Sequence, residues 1–234
     1  MKLKVLAGAA LVLGLAAVAA SFAYYATMPA VAQDAGSEEA EPLIKAAPAG
    51  LAQLPNAAPV NTLPRDIVVM NPDGDVTVVE FFDYFCHVCQ RISKEVQEIA
   101  KEDGNIRLIF REFPILNGEN SVVMSRLALA AYKQGIYIDV HNAFLDTHGR
   151  IDVNRAVEII EDLGGDIDQL QKDVNQPDIM QSLQFNVGLG FENQLRATPS
   201  FMIEGNAMQG YPGRENLISM VQQIREQRAA QTGS

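Results

Sequence analysis

Cys86-His87-Val88-Cys89 is the stretch that decides the fold of this 234-residue chain. Its two cysteines are the only ones in the sequence, and two residues separate them. An apolar run over 76–82 precedes them, and a helical pattern over 86–102 follows. A buried strand that leads into a helix opening on Cys-x-x-Cys is the sequence form of a thiol–disulfide exchange site.

The chemistry of this pair depends on where the helix begins. Unpaired backbone N–H groups and the helix dipole favour negative charge at a helix N-terminus. We therefore expect the thiol pKa of Cys86 to lie below its usual value of about 8.5, and the thiolate is the attacking form. Cys89, one turn further on, is predicted to be the resolving thiol. His87 is predicted to stabilise the thiolate as a cation or a hydrogen-bond donor.

Two plainer interpretations of the pair are weaker. Zinc usually takes four nitrogen or sulfur ligands, and His141 and His148 are far away in sequence with the wrong spacing; both are predicted to be exposed structural histidines. A purely structural disulfide rarely closes so small a ring. We therefore expect no cofactor and no resident metal, although two thiolates at this spacing can hold Cu(I), which keeps copper handling as an alternative.

The first 32 residues indicate export. Lys2 and Lys4 form a basic start, residues 5–23 carry no charge, and small-x-small sites follow at 21–23 and 30–32. This pattern predicts a signal peptide, with an uncleaved membrane anchor as the alternative because the apolar run is long. Either way the cysteines are expected in the periplasm, where disulfide chemistry is permitted. The net charge of −11 excludes nucleic acid as a natural partner.

The rest of the chain divides into a linker, a domain and a tail. Residues 33–65 are rich in Ala, Pro and Glu, which predicts a flexible linker. A second interpretation is a short helix over 38–47 that serves homo-oligomerisation, with prolines restricting its length. The folded domain is predicted over 66–228, followed by a frayed tail over 229–234.

Within the folded domain, the pattern predicts the order β-β-α-β, then a helical block, then β-β-α. The first part comprises strands over 67–70, 76–82 and 106–113 and the helix over 86–102. Its β-α-β unit implies two parallel strands with a right-handed connection. Five helical segments then run to residue 195. Two short strands with a turn at 204–206 and an amphipathic helix over 214–228 complete the domain.

At this point the sequence resembles a known family. The run Glu-Phe-Phe-Asp-Tyr-Phe-Cys-His-Val-Cys over 80–89 and the later Ala197-Thr198-Pro199-Ser200-Phe201 are similar to the DsbA family of thioredoxin-fold disulfide oxidoreductases. Arg111-Glu112-Phe113-Pro114, at a strand end, resembles the exported branch that includes suppressor-of-copper-sensitivity proteins. The similarity covers about residues 66–228.

The resemblance implies an α/β thioredoxin fold, built from β-α-β and β-β-α halves with a helical domain inserted over about 115–195. It implies that Pro199 is a cis-proline beside the cysteine pair, so that the backbone of Thr198 can pair with an extended substrate segment. It also implies that Glu80 is a buried acid under the active site, where it would transfer a proton to or from Cys89.

The active site departs from the best-known DsbA pattern in its middle pair, which is Pro-His there and His87-Val88 here. The residues between the cysteines set the redox poise. Asp83 and Tyr84, just before the pair, are expected to shape the rim of the site.

The predicted function is therefore an exported thiol–disulfide oxidoreductase that acts on cysteine-containing proteins through a redox-active Cys86–Cys89 disulfide. The first choice is a dithiol oxidase, reoxidised by a membrane partner of the DsbB type. The alternatives are an isomerase or reductase that works as a homo-oligomer and is kept reduced by a DsbD-type partner, and a Cu(I)-binding thiol protein.

Overall fold

The structure, a computed structural model, describes residues 66–232. The predicted leader over 1–32 and the predicted linker over 33–65 lie outside the described residues, so both stay predictions. In the described part of the chain, no helix is long and apolar enough to cross a membrane.

A five-stranded sheet forms the centre of the described domain. Its strands are β1 (Ile67–Met70), β2 (Val76–Phe82), β3 (Ile106–Glu112), β4 (Ser200–Ile203) and β5 (Asn206–Gln209). They lie in the order β1-β3-β2-β4-β5. β2 and β3 are parallel, and every other neighbouring pair is antiparallel. The parallel pair is the β-α-β unit that the sequence predicts.

The helices divide into one connecting helix, an inserted block and a terminal helix. Helix α1 (Cys89–Asp103) joins β2 to β3, and helix α7 (Arg214–Thr232) follows β5. Between β3 and β4 lie α2 (Glu119–Lys133), α3 (Tyr137–Asp146), α4 (Val153–Asp162), α5 (Ile167–Asp173) and α6 (Pro177–Glu192). This arrangement is the thioredoxin fold with an inserted helical domain, as the resemblance implies.

The C-terminal helix is longer than predicted. The sequence predicts a frayed tail from residue 229, but α7 continues to Thr232. Its last residues include Ala and Gln, which favour the helical conformation, and no Gly or Pro interrupts them. The prediction of a tail from residue 229 is therefore wrong for the residues up to Thr232.

Strand β2 lies inside the sheet and is apolar on both faces, as expected for a strand covered on both sides. Val76, Val78, Phe81 and Phe82 are all buried. Because β2 and β3 pair in parallel, Glu80 stands opposite Phe110 and Phe82 stands opposite Glu112. These four side chains share one face of the sheet, so two acids lie among the apolar residues of that face.

Helix α6 packs closely against Phe113, the residue that follows strand β3. A Cβ atom added to Gly190 would lie 2.6 Å from Cε2 of the buried ring of Phe113. The neighbouring Phe191 packs edge-on against the same ring, with centroids 5.5 Å apart. The glycine therefore sets how near the inserted domain comes to the residues that follow β3.

Candidate active site

Cys86 lies in the turn between β2 and α1 and closes the first turn of that helix. The backbone N–H of Cys89 donates to Cys86 Sγ over 3.2 Å, and the N–H of Gln90 donates to the Cys86 carbonyl over 3.0 Å. Helix α1 itself begins at Cys89, three residues later than predicted. The hydrogen bonds nevertheless place the sulfur of Cys86 where a helix-capping side chain stands, as the predicted chemistry requires.

The two cysteines are free thiols with opposite properties. The thiol of Cys89 donates to Cys86 and is the largest influence that lowers the pKa of Cys86, to about 6, with Thr198 adding to the effect and burial opposing it. Burial, together with the adjacent Cys86 sulfur, raises the pKa of Cys89 far above its usual range. Cys86 is thus suited to be the thiolate, and Cys89 holds its proton.

Thr198 and Pro199 lie next to this thiol. Strand β4 pairs with β2, with Ser200 opposite Phe81, and this pairing brings the segment before β4 to the cysteine pair. The Thr198–Pro199 peptide bond is cis. The thiol of Cys86 donates to the Thr198 carbonyl oxygen over 3.2 Å. The Thr198 hydroxyl is buried without a hydrogen-bonding partner at ordinary distance in the described residues, and it helps to hold the pKa of Cys86 down.

Glu80 is completely buried on β2. Neither of its carboxyl oxygens has a hydrogen-bonding partner at ordinary distance in the described residues. Burial and the charge of Cys86 raise the pKa of Glu80 to about 8, while the hydroxyl of Ser93 lowers it slightly. Glu80 also contributes to the raised pKa of Cys89. The burial of Glu80 agrees with the resemblance, whereas proton transfer between Glu80 and Cys89 stays a prediction.

His87 is exposed, and its contact lies within the first turn of α1. Its Nδ1 is 3.2 Å from Oε1 of Gln90, whose Nε2 donates to the Tyr84 carbonyl over 3.0 Å. Because the amide of Gln90 presents its oxygen to the ring, Nδ1–H is the donor in this contact. Stabilisation of the Cys86 thiolate by His87 stays a prediction.

Asp83 and Tyr84 are both buried, so their predicted position at the rim is wrong. The carboxylate of Asp83 accepts the backbone N–H groups of Phe85, Ile115 and Leu116 and the hydroxyl of Ser121, over 2.8–2.9 Å. These bonds satisfy the buried carboxylate and hold the turn before Cys86 against the loop that follows β3. Asp83 therefore supports the site from inside.

Glu112 is a second buried acid. In the sequence it belongs to a strand-end motif, and no role in the site was predicted for it. Its Oε1 accepts the hydroxyls of Tyr84 and Tyr137, over 3.0 and 2.8 Å, and its Oε2 accepts Ser125 over 2.7 Å. Burial raises the pKa of Glu112 to about 8, although the three hydroxyls lower it. One feature of the sequence could have predicted the burial of Glu112. It follows Ile106, Leu108 and Phe110 at intervals of two residues, so it lies on the same buried face of β3.

His141 is fully buried, so the prediction of an exposed histidine is wrong, whereas His148 is exposed as predicted. The ring of His141 packs against the rings of both Phe82 and Phe110, each with its centroid 4.5 Å away. Burial lowers the pKa of His141 to about 3, so the ring is neutral at pH 7. Its Nε2 lies 2.9 Å from the hydroxyl of Ser93.

Within residues 66–232, no group of three or more His, Cys, Asp or Glu side chains is placed to hold a metal ion. The chemistry available at the site is that of its two thiols and the acid beside them. Taken with the fold, this geometry is that of a thiol–disulfide exchange site.

Comparison with known proteins agrees with that class. A family model described as thioredoxin matches residues 62–223, and the chain belongs to this thioredoxin family. A thioredoxin-like oxidoreductase from Silicibacter pomeroyi is 37% identical, with a TM-score of 0.67 over 73% of this chain and 99% of that one. The thiol–disulfide exchange protein alpha-DsbA2 from Wolbachia pipientis is 28% identical, with a TM-score of 0.62 over 66% and 84% of the two chains. The resemblance to DsbA-type proteins is thereby confirmed.

Curated relatives match over a smaller share of their own length. The Na(+)/H(+) antiporter NhaA 1 of Salinispora arenicola is 25% identical over 158 residues, which are 67% of this chain and 24% of the antiporter. The chain spans about a quarter of the length of the curated relatives that it matches.

Proposed function

We propose that the chain is an exported dithiol oxidase that forms disulfide bonds in other proteins. The observation that carries this proposal is the hydrogen bond that Cys86 Sγ accepts from the backbone N–H of Cys89 over 3.2 Å. With the thiol of Cys89 as the largest influence, the pKa of Cys86 is lowered to about 6. A stabilised thiolate favours the reduced form of the pair, which makes the disulfide form a stronger oxidant and Cys86 a good leaving group.

The reaction begins with the Cys86–Cys89 disulfide. A substrate thiolate attacks the sulfur of Cys86, which is the more exposed of the two residues at 4% against 0%. The Cys86–Cys89 bond breaks as the mixed disulfide forms, and Cys89 leaves with the electron pair and takes up a proton, which Glu80 would supply. A second substrate thiolate then attacks the substrate sulfur, forming the new disulfide and releasing Cys86 as a thiolate. The substrate loses two electrons, and the pair gains them.

The substrate segment would lie along Thr198. Its carbonyl is directed at the Cys86 sulfur over 3.2 Å, so an extended peptide that pairs with this backbone brings its own cysteine to the reacting sulfur. A cysteine-containing exported protein is the substrate class that this arrangement favours. A membrane protein of the DsbB type would return the pair to the disulfide form.

The redox equilibrium of the Cys86–Cys89 pair against glutathione tests the proposal. We expect the reduction potential of the pair to be about −120 mV, the value of a strong dithiol oxidase. A potential of about −200 mV or lower would instead support an isomerase or reductase. In that case the oligomeric state of the full chain, with and without residues 33–65, is the next measurement.

Two variants test the direction of attack. Cys86→Ser should abolish disulfide transfer to a reduced peptide. When Cys89→Ser is given a peptide that carries a disulfide, it should accumulate mixed disulfides at Cys86, because no thiol at residue 89 attacks Cys86 to release the peptide. Transfer that persists in Cys86→Ser would contradict the mechanism. Copper handling predicts a different pair of results: Cu(I) binding by the reduced chain that oxidation abolishes, and no transfer to the peptide.

A further inference from the structure

Gln90 lies in the first turn of helix α1, directly after Cys89, and the reaction proposed above gives it no part. Its side chain is buried. Its Nε2 donates to the carbonyl oxygen of Tyr84 over 3.0 Å. A backbone carbonyl only accepts hydrogen bonds, so this contact decides which end of the amide is the nitrogen. The amide therefore joins helix α1 to the turn that carries Cys86, in one orientation.

The inserted domain covers this amide. Gly149 lies in the loop between α3 and α4 with a φ of 73°. A Cβ atom at this position would lie 3.4 Å from Nε2 of Gln90 and 4.0 Å from Cδ1 of Phe85. The loop thus packs its backbone against the amide and the active-site turn, and this contact helps to keep Gln90 away from water.

The orientation of the amide determines where the ring of His87 carries its hydrogen. Oε1 of Gln90 lies 3.2 Å from Nδ1 of His87. An amide oxygen only accepts, so Nδ1 carries the hydrogen. The neutral ring then has its lone pair on Nε2, because a neutral imidazole has one N–H donor and one acceptor nitrogen. The Tyr84 carbonyl thus sets, through Gln90, the tautomer of an exposed histidine.

The acceptor nitrogen of His87 is not used within the protein. The contact with Gln90 is the one hydrogen bond of the His87 ring in residues 66–232. No hydrogen bond joins the ring to Cys86 Sγ, whose partners in that range are Cys89 and Thr198. A substrate thiol has to reach Cys86 from solvent, and His87 is the exposed residue that adjoins Cys86 in the turn.

We propose that Gln90 holds His87 with Nε2 as the acceptor, and that this nitrogen takes the proton of the incoming substrate thiol. The proposal rests on the oxidase function proposed above. His87 is then the catalytic base of the first step, and Gln90 is a positioning residue because it acts through the ring. This role differs from stabilisation of the Cys86 thiolate, in which His87 would serve as a cation or a donor.

The step balances in protons and electrons. The substrate thiol gives its proton to Nε2 of His87, and its sulfur forms the bond to Cys86 Sγ. The Cys86–Cys89 bond breaks, and its electron pair goes to Cys89, which takes up a proton as described above. His87 is left as an imidazolium with both nitrogens protonated, and it releases the Nε2 proton to water.

The substrate gains from such a base near neutral pH. A free cysteine is only a few per cent thiolate at pH 7, and the thiolate is the nucleophile, so a base at the entrance can accelerate the attack by about tenfold. Above about pH 8.5 the substrate ionises without help. Other titratable side chains occur on the adjoining segments, and none is hydrogen-bonded to the His87 ring in the described chain: Asp83, Tyr84 and Cys86 in the turn, Arg91 on α1, and His148 and Arg150 in the α3–α4 loop.

A second histidine offers a matched control. His148 is exposed, and it precedes Gly149 in the loop that covers Gln90. Its side chain has no hydrogen bond within residues 66–232. His87→Gln and His148→Gln therefore remove the same exposed ring from neighbouring segments, but only His87→Gln removes the ring that Gln90 orients.

The kinetic experiment uses the oxidised full chain and two reduced peptides of the same sequence, one with two cysteines and one with two selenocysteines. The selenols are already ionised at pH 7 and need no base. His87→Gln should slow oxidation of the cysteine peptide by about tenfold at pH 7 and slow the selenocysteine peptide much less. This difference should disappear at about pH 9. His148→Gln should match the original chain with both peptides.

The role of Gln90 is tested by NMR of the ¹⁵N-histidine-labelled full chain, because the nitrogen shifts of a neutral ring show which nitrogen carries the hydrogen. The spectra of His87→Gln and His148→Gln supply the assignments. We expect the Nδ1–H tautomer at His87 in the original chain, and its loss in Gln90→Met together with slower oxidation of the cysteine peptide. If Gln90→Met does not fold, the tautomer of His87 compared with that of His148 in the original chain decides the same point.

The proposal is overturned if His87→Gln slows both peptides alike, since His87 would then act as a charge beside the cysteine pair. It is also overturned if His87 and His148 show the same tautomers in the original chain. A chain that oxidises both peptides at rates independent of His87 contradicts the base alone. A chain that oxidises neither peptide contradicts the proposed function.

Discussion

The thiol of Cys89 holds the pKa of Cys86 down more strongly than any other group, while the sulfur of Cys86 raises the pKa of Cys89. Each cysteine thus sets the protonation of the other. The direction of attack is fixed by this asymmetry, because the outer sulfur is the thiolate and the inner one keeps its proton.

The first prediction concerns this pair. Cys89→Ala should raise the pKa of Cys86 from about 6 toward the ordinary thiol value, because the S–H donor is lost. Cys89→Ser should raise it less, because a hydroxyl can still donate. The pH dependence of Cys86 alkylation, or of thiolate ultraviolet absorbance, measures both. Equal values in the two variants would show that the donor at residue 89 is unimportant.

The second prediction concerns the hydroxyl of Thr198. It is buried without a partner at ordinary distance in the described chain, and it helps to lower the pKa of Cys86. Thr198→Val keeps the shape but removes the donor, so it should raise the pKa of Cys86 and make the couple less oxidising. Thr198→Ser keeps the donor and serves as the control. The potential against glutathione and the alkylation profile are the two measurements.

The third prediction is the pH dependence that Glu80 imposes on stability. Burial raises the pKa of Glu80 from 4.5 to about 8, so the folded chain keeps a proton that the unfolded chain releases. The free energy of unfolding should therefore fall as pH rises from about 4.5 to 8. Glu80→Gln should remove this contribution, which is on the order of 3 kcal/mol at pH 7.

Urea unfolding of the reduced chain at several pH values measures the Glu80 contribution. The difference between Glu80→Gln and the original chain should grow with pH across that window. Glu98→Gln, on the exposed side of α1, is the control for the loss of one negative charge. A difference for Glu80→Gln that is the same at pH 5 and pH 8 would contradict the assignment of Glu80 as a buried, protonated acid.

The fourth prediction compares two glycines of helix α6. A Cβ atom at Gly190 would lie 2.6 Å from the Phe113 ring, whereas one at Gly188 would have no neighbour within 4 Å. Gly190→Ala should destabilise the domain by about 1–3 kcal/mol through overpacking. Gly188→Ala should stabilise it by about 0.5–1 kcal/mol through helix propensity. Urea unfolding measures both, and effects of the same sign would show that Phe113 moves aside freely.

The sequence predicts the sheet well because its strands carry strong apolar patterns. The run over 76–82 is buried on both faces, and its one acid, Glu80, stands out against that pattern. The cysteine pair and Thr198-Pro199 can also be predicted from the sequence, because each is a short motif whose residues are close in sequence. These features need no knowledge of what packs against them.

The buried polar side chains near the site are harder to predict because they come from separate helices, strands and loops. Nothing in helix α3 shows that His141 will pack against Phe82 of β2 and Phe110 of β3, because the pattern of one helix does not identify its neighbours. Asp83 and Tyr84 follow a strand, so the sequence alone favours a position at the rim. In the structure Tyr84 donates to Glu112, and Asp83 accepts from the loop after β3. Burial by distant elements, rather than local propensity, decides these positions.

Thr198 follows Cys86 by 112 positions in the sequence, and this separation has a consequence for how the chain is made. Both cysteines are synthesised well before β4, because the five inserted helices lie between β3 and β4 in the sequence. A growing chain that ends before β4 therefore has its dithiol but lacks the carbonyl and hydroxyl that lie next to it in the finished site. The environment of Cys86 is completed only when the segment that contains Thr198 and β4 joins the sheet, so the reactive site forms late in the synthesis of the protein.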